Sequence, residues 1–176
     1  MYVHEEKRVA FIAHPRTAST ATGQALTGLG FGQWINHHGF DPKWDLTGWT
    51  VFATVRNPFD LMVSWYYHKK RHQEQTFQEW LPKFIALSNQ YLDQGMFFGT
   101  NFCTRMMRYE TLQKDFDFVL GEVGFPQTDI PLKNVSHDRP DKPLSEYYDH
   151  RLINLMRTHF NKEIRQNGYK APCQAT

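Results

Sequence analysis

The chain has 176 residues, 40% of them hydrophobic and 15% aromatic, which is enough for a core and too apolar for a disordered chain. Twenty Lys and Arg against 18 Asp and Glu leave a formal charge of +2, so broad attraction to nucleic acid is excluded and any anion recognition has to come from local placement of charge. The two cysteines, Cys103 and Cys173, make no disulfide framework and suit a reducing cytoplasm, with one bridge left open. With no signal-peptide core and no run of about 18 apolar residues, the expectation is one soluble domain over 1–176, with no membrane and no nucleic-acid partner.

Residues 1–7 read as a polar lead-in. The apolar run at 9–13 predicts a buried parallel strand over about 8–13 that stops at His14-Pro15. Arg16, Thr17, Ala18, Ser19, Thr20 and Ala21 follow: one cation, then only small and hydroxyl residues. The pattern then predicts a helix over 20–28, ended by Gly28, Gly30 and Gly32. A strand feeding a tight loop into a helix N-terminus makes an anion site, because first-turn amides and the helix dipole both favour negative charge, and no bulky side chain here blocks approach. The competing reading is that Ser19 or Thr20 simply caps the helix. No G-x-x-x-x-G-K-[ST] sequence occurs, so this is not a Walker A loop.

A short strand over 31–35 and the polar turn Asn36-His37-His38-Gly39 come next. Residues 49–55, WTVFATV, predict a second buried strand, ended by Arg56-Asn57-Pro58, where Asn57 suits a helix cap and Pro58 the first helical position. A helix is expected from there to about 71. Two strand–turn–helix units point to an α/β fold with a parallel sheet, whose ligands sit at the carboxyl ends of the strands, where Arg16 and Arg56 both fall. Further expectations are a helix over 76–88 kinked or delayed by Pro82, a strand over 102–109, a helix over 110–121, a polar loop over 133–143, a long helix over 144–166 and a frayed tail. His68 and His72 are four apart on a predicted helix, but no H-E-x-x-H motif accompanies them, so a basic helix end is preferred to a metal site.

HPRTAST resembles the P-K-T-A-[SG]-T loop of carbohydrate sulfotransferases, especially the heparan and chondroitin uronyl 2-O-sulfotransferases. FATVRNPFDLMVSWYY resembles their second signature, an arginine turn followed by a helical serine eight residues on. MMRYETLQKDF, then IPLKNVSHDRP, a Tyr-Tyr pair, a long helix and NGY are similar to later parts of the family in the same order. The resemblance implies a P-loop-NTPase-like parallel sheet flanked by helices. It implies a sulfonate transfer from 3′-phosphoadenosine 5′-phosphosulfate (PAPS) to an acceptor hydroxyl, with a saccharide as the leading acceptor class.

By that resemblance, Arg16, Thr17, Ala18, Ser19, Thr20 and Ala21 hold the 5′-phosphosulfate, Arg56 and Ser64 hold the 3′-phosphate, and Asn134 and Ser136 lie near the nucleotide. Arg139 and Lys142 are candidates to close over it. Arg16 stands where the family usually has lysine; its charge is permanent, so it is suited to stabilising a leaving group by charge rather than by proton donation. His38 or His37 is expected as the base that takes the acceptor proton, with an exposed turn as the competing reading and His14 as a weaker candidate. No metal is expected. Because the family's Golgi members carry an anchor and stem and this sequence has neither, a compact bacterial or viral version is anticipated. The alternatives are a small nucleotide-dependent kinase and a noncatalytic module that binds PAPS or a polyanion. Absence of a Walker lysine and of a clear magnesium carboxylate weighs against the kinase.

Overall fold

A computed structural model describes residues 1–33, 39–41, 44–88, 102–131 and 138–172. The described residues gather into two units, one drawn from residues 1–56 and 102–131, the other from 57–88 and 138–172.

The first unit is a five-stranded sheet with helices. Its strands are β1 (Tyr2–His4), β2 (Val9–Ile12), β3 (Gly32–Gln33), β4 (Thr50–Val55) and β5 (Arg105–Arg108), ordered β3-β1-β2-β4-β5. Strands β2, β4 and β5 run parallel, with Phe11 opposite Phe52 and Thr54 opposite Met107. The sheet is nevertheless mixed, because β1 pairs antiparallel with both β2 and β3. An all-parallel sheet is therefore corrected, and so is the polar lead-in. Met1, Tyr2 and Val3 are buried. The charged residues that suggested a lead-in, Glu5 to Arg8, form the β1–β2 turn, closed by Arg8 N–H donating to the Glu5 carbonyl at 3.0 Å.

Strand β2 is buried along its whole length because both sheet faces are covered. Val9 and Phe11 face a cluster with Phe52, Met107, Leu26 of α1 (Ser19–Gly28) and Phe116, Val119 and Leu120 of α4 (Leu112–Glu122). Ala10 and Ile12 face the other way, with Val51 and Ala53 beneath Phe40, Trp44, Leu46 and Trp49. Helix α1 ends as expected at Gly28, and Gly30, just past its cap Leu29, has a φ of 90° that a side chain would oppose.

Gly23 lies inside α1 against Tyr2, and a Cβ there would run into the Tyr2 ring. Gly23→Ala is therefore expected to destabilise the protein by about 1–3 kcal/mol despite alanine's better helix propensity. Thermal unfolding of the single variant and of Gly23→Ala with Tyr2→Ala checks this. The two costs should be strongly non-additive if the ring is what resists the methyl group.

The second unit is helical: α2 (Pro58–His68), α3 (Phe77–Ser88), α5 (His150–His159) and α6 (Asn161–Gln166). Asn57 caps α2 as expected, its side chain accepting from Phe59 N–H. The helix stops at His68 rather than near 71, and a short 3-10 turn, Arg71–Gln73, follows. Thr76 and Glu79 form a reciprocal capping box at the start of α3.

Pro82 neither ends nor delays α3. Proline removes the N–H that would bond the Gln78 carbonyl, and that carbonyl accepts from Arg151 Nη2 of α5 at 3.2 Å instead. The long helix expected over 144–166 is broken into a 3-10 turn at Leu144–Glu146, then α5, then α6. Asp149 starts α5 by accepting from Leu152 N–H at 2.7 Å, and Phe160, buried and with φ of −115°, separates α5 from α6.

Candidate functional site

The loop at residues 14–18 leaves the carboxyl end of β2 and enters α1. Two of its residues, Arg16 and Ala18, have left-handed backbones, with φ of 64° and 60°. For residues with a Cβ this conformation costs roughly 1–2 kcal/mol each, and such strain clusters at ligand clamps. The loop is internally tied: Thr17 Oγ1 donates to the His14 carbonyl at 2.8 Å, and Thr22 donates to the Ala18 carbonyl through N–H at 3.0 Å and Oγ1 at 3.2 Å. Thr17, Ser19 and Ala21 are buried, while Arg16, Ala18 and Thr20 are half-buried.

The residue capping α1 is Ala18, which offers no side-chain acceptor, and the first turn holds no acidic residue. Ser19 is already helical. The reading in which Ser19 or Thr20 caps the helix is therefore set aside. A helix start without a side-chain cap or a carboxylate suits an anion.

Arg56 follows β4, the parallel neighbour of β2, and is only 6% exposed. Its Nη1 donates to the Arg16 carbonyl at 2.7 Å. Its guanidinium lies 3.9 Å from the centre of the Tyr109 ring. Tyr109 begins a 3-10 turn, Tyr109–Thr111, directly after β5. That turn is fixed by Asp115, which accepts from Arg108 N–H at 2.7 Å and Thr111 Oγ1 at 2.9 Å. The carboxyl ends of three parallel strands thus contribute to one place: the loop from β2, Arg56 from β4 and Tyr109 from β5. Desolvation by burial, and then the Arg56 charge, hold the Arg16 guanidinium below the usual arginine pKa, while Tyr109 acts in the opposite direction. The site is basic and partly dry, so it favours a ligand with negative charge.

The structure brings together Arg16, Thr17, Ala18, Ser19, Thr20, Ala21 and Arg56. Ser64 is buried on α2 in the second unit. His37, His38, Asn134 and Ser136 lie outside the described residues. Gly39, which follows His38, is described: its N–H donates to the Ala13 carbonyl at 3.1 Å, one residue before His14. His14 itself is buried.

In the second unit, Arg139 is held by Asp60 at 2.7 Å, and Lys142 lies over the Tyr147 ring at 4.3 Å. The His68 ring meets Trp65, and His72 packs on Tyr67 at 4.8 Å. Among the described residues no group of three or more His, Cys, Asp or Glu could hold a metal ion, and no helix is long and apolar enough to cross a membrane.

Tyr109 was not singled out in the sequence, although it begins the YET segment that resembles the family. Its partner is 53 positions away, so no local spacing could announce the contact. Thr54 is also absent from the sequence reading. It is fully buried two positions before Arg56, and its hydroxyl has no hydrogen-bond partner among the described residues.

Compared with protein families, with curated proteins and with solved structures, the chain shows no match.

Proposed function

We propose that this protein is a PAPS-dependent O-sulfotransferase on a P-loop-like sheet, with a hydroxyl-bearing saccharide as acceptor. One observation carries the reading. A strained loop of small and hydroxyl residues enters α1 through an alanine cap, and two arginines stand at adjacent strand ends beside it. The sequence resemblance assigns those same two arginines to the two anionic ends of the donor.

The residues fit such a ligand. Small side chains at 17–21 let an oxyanion approach the backbone, and Arg16 and Arg56 supply the positive charge. When bound, PAPS supplies the sulfonate group. In-line transfer breaks the bond from sulfur to the bridging phosphate oxygen and forms one from sulfur to the acceptor oxygen, while the acceptor proton passes to a base. Positioning and charge stabilisation do most of this work. Arg16 offsets the charge left on the phosphate. His38 or His37 takes the proton. His37 and His38 enter the proposal through the sequence alone, as groups able to take a proton near neutrality. Ser64, Asn134 and Ser136 enter the proposal through the resemblance alone.

Calorimetric titration with 3′-phosphoadenosine 5′-phosphate (PAP), the desulfonated donor, tests the reading, with magnesium ATP as comparison. PAP is expected to bind at micromolar concentration. Arg56→Ala should weaken it by roughly tenfold or more, because a charge-assisted contact is worth about 1.5–3 kcal/mol. Preference for magnesium ATP would replace the reading with the kinase alternative. Tight PAP binding without turnover on any saccharide, alcohol, lipid or tyrosine acceptor would favour the noncatalytic module.

A further inference from the structure

Arg56 is committed to the protein in two directions before any ligand is considered. One guanidinium nitrogen holds the carbonyl of Arg16, and one face lies on Tyr109. The carbonyl it holds belongs to a residue whose φ of 64° is unfavourable for any side chain but glycine. Fixing that carbonyl fixes the peptide plane between Arg16 and Thr17, and with it the direction in which the next amide points. Tyr109 is in turn anchored from below, since Asp115 ties both ends of its turn.

We infer that Tyr109 and Arg56 form a strut that holds the 16–18 loop in its left-handed shape, with Tyr109 as the positioning residue for Arg56. The consequence for the donor rests on the PAPS reading. The cation assigned to the 3′-phosphate also shapes the loop assigned to the 5′-phosphosulfate, so the two ends of the donor are not recognised independently. The ring of Tyr109 lies against the guanidinium, so the strut requires an aromatic face at this position, which phenylalanine keeps.

The experiment compares Tyr109→Phe with Tyr109→Leu in two measurements. The first is made without ligand: amide hydrogen exchange at Thr22, whose N–H is bonded to the Ala18 carbonyl, against amides in the middle of α4. A cation–π contact of the usual strength predicts that Tyr109→Leu speeds exchange at Thr22 by about three- to thirtyfold, with α4 unchanged and Tyr109→Phe like the parent protein. The second is PAP titration, in which Tyr109→Leu should lose affinity by a similar factor and Tyr109→Phe should retain it.

Unchanged exchange at Thr22 in Tyr109→Leu would overturn the strut. So would equal acceleration throughout β5 and α4, since it would mean a general loss of packing. Selective acceleration at Thr22 in a protein that binds no PAP in its parent form would leave the strut standing and remove the donor reading instead. If Tyr109→Leu does not fold, Arg56→Lys provides the same exchange test, because lysine keeps the charge but has neither the planar fork nor the stacking face.

Discussion

Arg16→Ala is expected to slow sulfonate transfer by about 10²–10³-fold, the usual cost of removing one preorganised group that stabilises developing charge. The backbone at Arg16 is already left-handed, and alanine keeps the Cβ that makes that conformation costly. The substitution therefore removes charge without changing the strain. Arg16→Lys restores a cation of the type usual in the family it resembles, and should recover most of the rate if charge is what matters. Arg16→Gly relieves the strain but not the charge loss, so it should be as slow as the alanine variant and more stable by thermal unfolding. PAP release with an active saccharide acceptor is the readout. An alanine variant with parent-like turnover would remove Arg16 from the chemistry.

His38→Ala is expected to lower turnover by about 10²–10⁴-fold, the range for loss of a general base, while PAP affinity stays within about twofold. The base must be neutral to accept a proton. The parent rate should therefore fall as the pH is lowered, and this acid limb should vanish in the variant. His37→Ala is the companion measurement. A collapse in that variant alone moves the base by one residue, and full activity in both removes the histidine mechanism.

The part of this site that was legible in the sequence is the part with local causes. The apolar run before HPRTAST is short enough to be a buried strand, and the small residues after it leave the backbone of a helix entrance open to approach. The left-handed geometry at Arg16 and Ala18 was not legible, because neither is glycine. The Arg56–Tyr109 stack was not legible because it joins strand ends that only the sheet brings together.

The same division holds for the fold. Strand β1 was missed because four charged residues of its turn outweigh three apolar ones in the local pattern. The break at Phe160 was invisible because the apolar spacing of Met156, Phe160 and Ile164 continues across it in helical register. The delay weighed for Pro82 does not occur, since the helix runs through it and Arg151 satisfies the carbonyl that the proline strands.

The closeness of Arg56 to Arg16 also bears on how the protein should be handled. The charge of Arg56 weighs against that of Arg16 in a partly dry setting, so the ligand-free chain folds against a like-charge repulsion. Multivalent oxyanions relieve such repulsion locally, beyond their general exclusion from protein surfaces. At matched ionic strength, sulfate should therefore protect this protein from heat more than chloride does, by a margin that shrinks in Arg16→Ala. On the PAPS reading, phosphate buffer should also weaken PAP binding, because phosphate would compete for the same two arginines.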